Sequence, residues 1–492
     1  MHTPPPPATK GLDPASLTAA LHRLTEWSNT YLGSLESRSV RTNMAPGDTL
    51  DRLPEHPPQV GTTLADWITQ LDDAIVPNLV HWQSPNFFAY FPCSASMPAI
   101  AGELVSSVLN VNAMLWSTSP AATELEMRML DWCAEMFGLP AHFRFDSPSS
   151  IGGGCIQSTA SEGVLASLLS ARRSQTKRGR DRSKITLYTS TQAHSSVVKA
   201  AMVAGLADTP EDDSRVRLIG TDGSLRMDVE RLRAAIQCDL DNGLAPALVV
   251  ATVGTTATGA IDPIEQIGTM LDSFGEHRPK LHIDAAWAGA ACVCPEHQPI
   301  LAGIEHADML CINPHKWLLT NFDCDLYWVR DRAALVDSMS ITPEYLRNDA
   351  SESGAVIDYR DWHVPLGRRM RALKLWFVIQ HFGIEGLQAH IRHHITLAEK
   401  FESWVVDHPA LQLATGRSLA LVCFKMPTNE QTKALVDAVN ASGEVMISPS
   451  IVEISGERTA IARVAIGATS VDHEHIDNLC AVVDRAARSV VE

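Results

Sequence analysis

Apolar residues recur at three- and four-residue spacings through 14–36 (Leu17, Leu21, Leu24, Trp27, Tyr31, Leu35), which places one apolar stripe along a helix. After the proline-rich DRLPEHPPQVG, the stretch TTLADWITQLDDAIVPNLVHW predicts a second helix ending near Pro77. Helices that precede any strand suit an arm packed on something else, such as a clasp in a dimer. From about residue 120 the pattern changes. PAATELEMRMLDWCAEMFGLP predicts a long helix with proline at its start and Gly138 at its end. Short runs rich in Val, Ile and Leu then alternate with helical stretches: KITLYTS, VRLIG, APALVVATVGTT, KLHIDAA, DMLCIN and CDLYWV predict strands, and 228–243 and 263–277 are among the helices between them. That alternation predicts an α/β domain with a mostly parallel sheet covered on both faces. Residues 372–404 read as a long helix broken near FGIEG. Beyond it, SLALVCFKMP and RTAIARVAIG predict strands flanked by two helices, a small α+β domain. The expected division is therefore 1–84, an N-terminal helical segment; 85–371, the large domain; and 372–492, the small C-terminal domain.

Composition narrows the function. Of 492 residues 45% are apolar and 20% charged, as in a folded globular protein, and the formal net charge is −17. Such acidity opposes binding to a phosphate backbone, so no nucleic-acid partner is expected; the basic run ARRSQTKRGRDRSK, 171–184, reads as a solvated loop. The proline-rich start lacks a signal-peptide pattern, and no apolar run is long enough to span a membrane. The ten cysteines are scattered, and Cys292 and Cys294 have no second pair to complete a metal site. They read as packing thiols of a cytoplasmic protein.

Four places carry candidate chemistry. Gly152–Gly154 precede CIQSTASEG and a helix, but the dinucleotide spacing fails and no clean strand leads in. Thr159, Ala160 and Ser161 could still offer N–H groups and hydroxyls to one phosphate at a helix N-terminus, or Ser161 could simply be an N-cap. Asp284 ends the strand KLHID, where open α/β sheets place ligands, unless it is a cap or structural pair. The small residues Ala285, Ala286 and Gly289 leave room for something flat. His194 follows another strand, as a ligand or merely a capping residue. Lys316 sits in CINPHKWLL among apolar neighbours, a setting that favours the neutral, nucleophilic amine. A phosphate nest, flat clearance, an acid and a reactive lysine together suit pyridoxal 5′-phosphate, whose phosphate needs anchoring, whose aldehyde binds an amine, and whose pyridine nitrogen must stay protonated.

NPHKW at 313–317 resembles the cofactor-lysine motif of the group II pyridoxal phosphate decarboxylases, the aromatic-L-amino-acid decarboxylase family. SPNFFAYFP, SPAATELE, TASEG, AHSSVVKA, VVATVGTTATGAIDP, HIDAAWAG and DYRDWHVPLGRRMRALKLWF look like that family's blocks in its order. The resemblance implies a fold-type I, aspartate aminotransferase-like homodimer whose N-terminal segment swaps over the partner. It implies that Lys316 binds the cofactor aldehyde, that Asp284 faces the pyridine nitrogen, that His194 stacks on one ring face and that Ala286 packs on the other. Ala160, Ser161 and Asn313 resemble phosphate-site residues; Thr256 and His315 fall close to the cofactor. In the family a mobile loop, here within 334–354, carries a tyrosine that delivers a proton to Cα, and relatives with phenylalanine there release an aldehyde. The matching residue is Tyr345, whose hydroxyl can donate a proton, although by itself it reads equally well as a packed loop aromatic.

The residues matching the family's substrate pocket are Trp82, Tyr90, Phe91, Pro92, Cys93, Asn112, Met114, Leu366 and Gly367. Trp82, Tyr90 and Phe91 offer surfaces for an indole or phenyl ring, and Gly367 leaves room where histidine decarboxylases of the family have serine. Asn112 and Met114 depart from the apolar residue and phenylalanine common in aromatic decarboxylases. The expected reaction is decarboxylation of an aromatic L-amino acid, with tryptophan or phenylalanine ahead of DOPA and tyrosine. The alternatives are an aromatic aldehyde synthase, a decarboxylase of a non-aromatic amino acid, and a cofactor-free binding homologue.

Overall fold

The computed structural model describes residues 13–341 and 356–491. Helix α1 (Pro14–Gly33) starts where Asp13 accepts the Ser16 N–H at 2.9 Å and Pro14 occupies the first turn. No residue of α1 is fully buried: Leu17, Leu24 and Leu32 stand exposed, while Trp27 donates to Asp72 and Tyr31 packs on His81. Helix α2 (Leu64–Gln70) opens with a Thr63–Asp66 capping box, widens through Leu71–Ile75 and closes at Val76–Asn78, around the expected Pro77. The sequence reading missed α3 (Met97–Leu109). It packs against a later helix at Gly102, where an added Cβ would lie 2.6 Å from the Lys374 Cα. Helix α4 is Pro120–Met136.

The main sheet and its helices follow in chain order: β1 (Gly153–Gln157), α5 (Ala160–Lys177), β2 (Ile185–Ser190), α6 (Ser196–Val203), β3 (Val216–Ile219), α7 (Val229–Asp241), β4 (Ala245–Thr252), α8 (Ile264–Asp272), β5 (Lys280–Asp284), β6 (Met309–Ile312), α9 (Pro314–Trp317), β7 (Asp325–Val329) and α10 (Arg332–Met339). The strand order is β1-β7-β6-β5-β4-β2-β3. From β3 to β6 the strands are parallel, while β7 runs antiparallel to β6 and to β1. Strand β4 is buried along its whole length, as its unbroken apolar run requires.

Strand β1 corrects the sequence reading, since a strand does lead into the TASEG turn. Its glycines hid it, and they are there because the neighbours leave no room. A Cβ on Gly153 would lie 2.2 Å from the Phe145 ring, and one on Gly154 would lie 2.7 Å from the Tyr327 carbonyl oxygen. The N-cap of α5 is Thr159, not Ser161.

Helix α11 (Ala372–Asp407) breaks at Gly383, φ 62°, where the FGIEG signal lies. A second sheet follows: β8 (Gln412–Leu413), β9 (Leu421–Lys425), β10 (Ser448–Ile454) and β11 (Glu457–Ala465), with α12 (Asn429–Ser442) and α13 (His473–Val491). The two expected strands are β9 and β11. Strand β10 escaped notice because it is an edge strand, order β10-β11-β9-β8, and carries Pro449. Residues 86–90 join this sheet region: Phe88 donates its N–H to Met446 O at 2.9 Å and accepts the Ala465 N–H at 3.0 Å. The basic run ends α5, where Arg173 and Lys177 pair with Asp337 at 2.9 and 2.7 Å. Among the described residues no helix is long and apolar enough to cross a membrane.

Candidate active site

The carboxyl ends of β2, β4, β5 and β6 point the same way because these strands are parallel, and each is followed by a residue singled out from sequence. His194 follows β2, Thr256 follows β4, Asp284 ends β5, and Asn313, His315 and Lys316 follow β6. With Thr159, Ala160 and Ser161 at the start of α5, they line one cavity of about 310 Å³. Backbone bonds fix the floor. Val253 donates its N–H to Asp284 O at 2.8 Å, Ala285 to Cys311 O at 3.1 Å, and Asn313 to Ala286 O at 2.9 Å.

Asp284 is buried; its Oδ1 accepts the Ala286 N–H at 3.1 Å and lies 3.8 Å from the Cys311 thiol. His194 Nδ1 accepts the Ser196 N–H at 3.2 Å, with the Ser196 hydroxyl at 2.8 Å, which leaves the proton of the neutral ring on Nε2. Burial holds the His194 pKa below the ordinary value, Lys316 lowers it further, and Asp284 acts in the opposite direction. His315 Nδ1 lies 3.0 Å from the Cys324 N–H nitrogen and 2.7 Å from its carbonyl oxygen; burial, then Lys316, push it down to about 3. The Lys316 Nζ stands 5.6 Å from the centre of the Phe91 ring. Phe91 stacks on Trp287 at 4.4 Å and Trp287 on Trp317 at 5.2 Å, so an aromatic wall backs the lysine. Trp82 and Tyr90, stacked at 5.5 Å, line the mouth together with Cys93.

Pro92, Asn112, Met114, Leu366 and Gly367 do not line this cavity. Pro92 packs on Gly467. The other four belong to one separate region: Asn112 Oδ1 accepts the Arg368 N–H at 3.0 Å, a Cβ on Gly367 would meet Asn112 at 3.7 Å, and Met114 O accepts the Arg360 N–H at 3.0 Å. Leu366 beside them is exposed. Tyr345 lies outside the described residues.

The sequence reading passed over Thr252, Trp287, Phe322 and Arg463, all of which line the cavity. Arg463 had a signal, a lone arginine in the apolar run AIARVAIG. It is buried, donates from Nε to Ala257 O at 2.9 Å and from Nη2 to Tyr90 O at 3.4 Å, and lies 5.2 Å from the Phe91 ring centre. Its Nη1 has no hydrogen-bond partner among the described residues. Two further buried oxygens of lining residues, Thr252 Oγ1 and Asn313 Oδ1, also lack partners. Native buried polar atoms are rarely left so; a phosphorylated, polar ring compound would accept from the Arg463 and Thr252 donors, and the Asn313 amide would meet it through its Nδ2. The small side chain of Ala286 in the cavity wall leaves room for such a group.

Residues 46–427 match the family model of the pyridoxal-dependent decarboxylase conserved domain. Tryptophan decarboxylase 2 of Oryza sativa subsp. japonica is 40% identical over 476 residues, spanning 95% of this chain and 93% of that protein. Phenylacetaldehyde synthase of Arabidopsis thaliana is 39% identical over 492 residues, 97% of each chain. The crystal structure of Oryza sativa TDC with PLP and tryptamine superposes with a TM-score of 0.93 at 35% identity, over 98% of this chain and 99% of that one.

Proposed function

Because this chain belongs to the pyridoxal-dependent decarboxylase family, we propose that it converts an aromatic L-amino acid, of the tryptophan, phenylalanine, tyrosine or DOPA type, to the arylalkylamine and CO2. The observation that carries the reading is the convergence of Lys316, Asp284, His194, Ala286, Thr256 and Asn313 on one cavity with aromatic walls. Bound pyridoxal phosphate supplies an electron-poor ring that takes up the electron pair released when the carboxylate leaves as CO2.

The chain's own residues do the rest. Lys316 would hold the cofactor aldehyde, and Ala160, Ser161 and Asn313 its phosphate. The Asp284 carboxylate would keep the pyridine nitrogen protonated, since a negative neighbour favours the cationic form. His194, neutral and fixed through Ser196, would lie on one ring face and Ala286 on the other, with Thr256 and His315 close by. Arg463 would bind the substrate carboxylate through Nη1, because it brings a buried positive charge into the cavity and its other arms are anchored. Trp82, Tyr90, Phe91 and Trp287 would receive the substrate ring and exclude water from it. The hydroxyl of Tyr345 would deliver the proton to Cα, which favours amine over aldehyde.

The same reading includes a cytoplasmic homodimer divided at 84/85 and 371/372. Helix α3 exposes Met97, Ile100, Val108 and Leu109 at 52–65%, an apolar face that a second copy would cover. Asn112, Met114, Leu366 and Gly367, away from the cavity of their own chain, would then act on the partner's substrate. Cytoplasmic residence rests on ten free cysteines, eight of them buried packing thiols; Cys93 instead lines the cavity and Cys238 is exposed. The likeness to a phenylacetaldehyde synthase makes the product the point to test. Pyridoxal phosphate-loaded protein is given tryptophan, phenylalanine, tyrosine, DOPA, histidine and glutamate separately, and both amine and aldehyde are followed. Amine from an aromatic substrate is expected; aldehyde as the main product, or turnover of a non-aromatic acid alone, would overturn the reading. Tyr345→Phe should divert product toward aldehyde.

A further inference from the structure

A buried acid beneath the site has no part in the chemistry above. Asp325 opens β7, is 0% exposed, and neither of its carboxyl oxygens has a hydrogen-bond partner among the described residues. The amide side chains level with it present unpartnered oxygens. In the sheet register it stands opposite Gln157 of β1. One step beyond the pair Ile312–Leu326, it is level with Asn313. Gln157 Oε1 and Asn313 Oδ1 are likewise buried and without a partner among the described residues. A Cβ on Gly163, in the first turns of α5, would lie 3.4 Å from Asp325 Oδ2 and 3.4 Å from Gln157 Oε1, so both oxygens face one point under the start of that helix.

An ionised carboxylate there would be a buried charge facing acceptors with no donor, an arrangement costing several kcal/mol. A proton on the carboxyl turns it into the missing donor. Gln157 is oriented to receive it, since its Nε2 lies 3.5 Å from Trp362 O. We propose that Asp325 is a positioning residue held as the neutral carboxylic acid, its proton donated to Gln157 Oε1, so that the floor beneath the Thr159–Ala160–Ser161 turn carries no charge where the cofactor phosphate binds. The proposal rests on the reading of that turn and Asn313 as the phosphate site. Burial, then Asp284 from β5 and Glu162 from α5, push the Asp325 carboxyl well above the ordinary carboxylate range; Lys316 after β6 opposes them.

Two measurements test it. The infrared difference between cofactor-free wild type and Asp325→Asn at neutral pH should contain a protonated-carboxyl C=O band that shifts in D2O; its absence overturns the proposal. This arm needs no cofactor, so it separates failure here from failure of the phosphate-site reading. In the second, the apoenzyme is titrated with pyridoxal phosphate by quenching of tryptophan fluorescence. Asp325→Asn, neutral like the acid, should bind within about twofold of wild type. Asp325→Ala, which leaves Gln157 without its donor, should bind about fivefold more weakly. Asparagine binding about tenfold more tightly would mean that wild type is ionised, and alanine matching wild type would mean that the bond to Gln157 positions nothing; either result overturns the proposal.

Discussion

Substituting Arg463 tests how the site takes hold of its substrate. The guanidinium is anchored by two main-chain carbonyls, Ala257 O at 2.9 Å and Tyr90 O at 3.4 Å, and presses toward the Phe91 ring. Burial pulls its pKa below the ordinary arginine value, and arginine so shifted stays protonated at neutral pH. A hydrogen bond to a charged group is worth about 1.5–3 kcal/mol, so Arg463→Gln should lower kcat/KM by about 10- to 150-fold. Lysine keeps the charge but not the fork that grips both carbonyls; Arg463→Lys should fall between glutamine and wild type. The assay is steady-state amine formation with the best aromatic substrate, alongside cofactor titration and thermal unfolding of each variant. The titration and melt remove a purely structural loss from the comparison. If Arg463→Gln, folded and cofactor-loaded, keeps kcat/KM within about twofold of wild type, the carboxylate is held elsewhere and the assignment fails.

Three further outcomes follow from the geometry. Lys316→Ala should abolish turnover while the thermal unfolding profile of the cofactor-free protein stays close to wild type; residual full activity would remove Lys316 from the chemistry. Glu126 and Arg368, their side chains both 1% exposed and joined at 2.6 and 3.0 Å, also hold the N–H and C=O of Ile156 in β1. Glu126→Gln strands a buried guanidinium and should cost about 3–5 kcal/mol in urea unfolding, whereas a loss below about 1 kcal/mol would show that the pair is not needed. His282, fully buried, is pushed down to about 4 by burial, so between about pH 6.5 and that value the unfolded chain binds a proton that the folded chain refuses. Its contribution is fully present above the unfolded pKa and is lost as pH falls toward the folded one, on the order of 3 kcal/mol at most. His282→Gln should therefore flatten the acid limb of unfolding stability against pH; superposable limbs would refute the assignment.

The chain alone determined a good deal. Apolar runs such as APALVVATV can only be strands buried on both faces, and their alternation with helical stretches dictates the parallel order that carries His194, Asp284 and Lys316 to one edge. Those residues stand at strand ends in the linear pattern, so the site was legible before any distance was known. Other features were not, because they depend on what lies across space. The glycines of β1 read as a loop until Phe145 and the Tyr327 carbonyl occupied the room a side chain would take. Strand β10 is held by β11, and its own Ser-Pro-Ser start argues against a strand. Asp325 at the head of an apolar strand and Arg463 within the apolar run AIARVAIG are visible as oddities. Whether each is anchored, exposed or orphaned follows only from Ala257, Tyr90, Gln157 and Asn313, brought beside them by the tertiary fold. Local periodicity depends on neighbours along the chain and is written into it. The partner of a buried charge is set by packing between distant segments, and only the folded structure decides it.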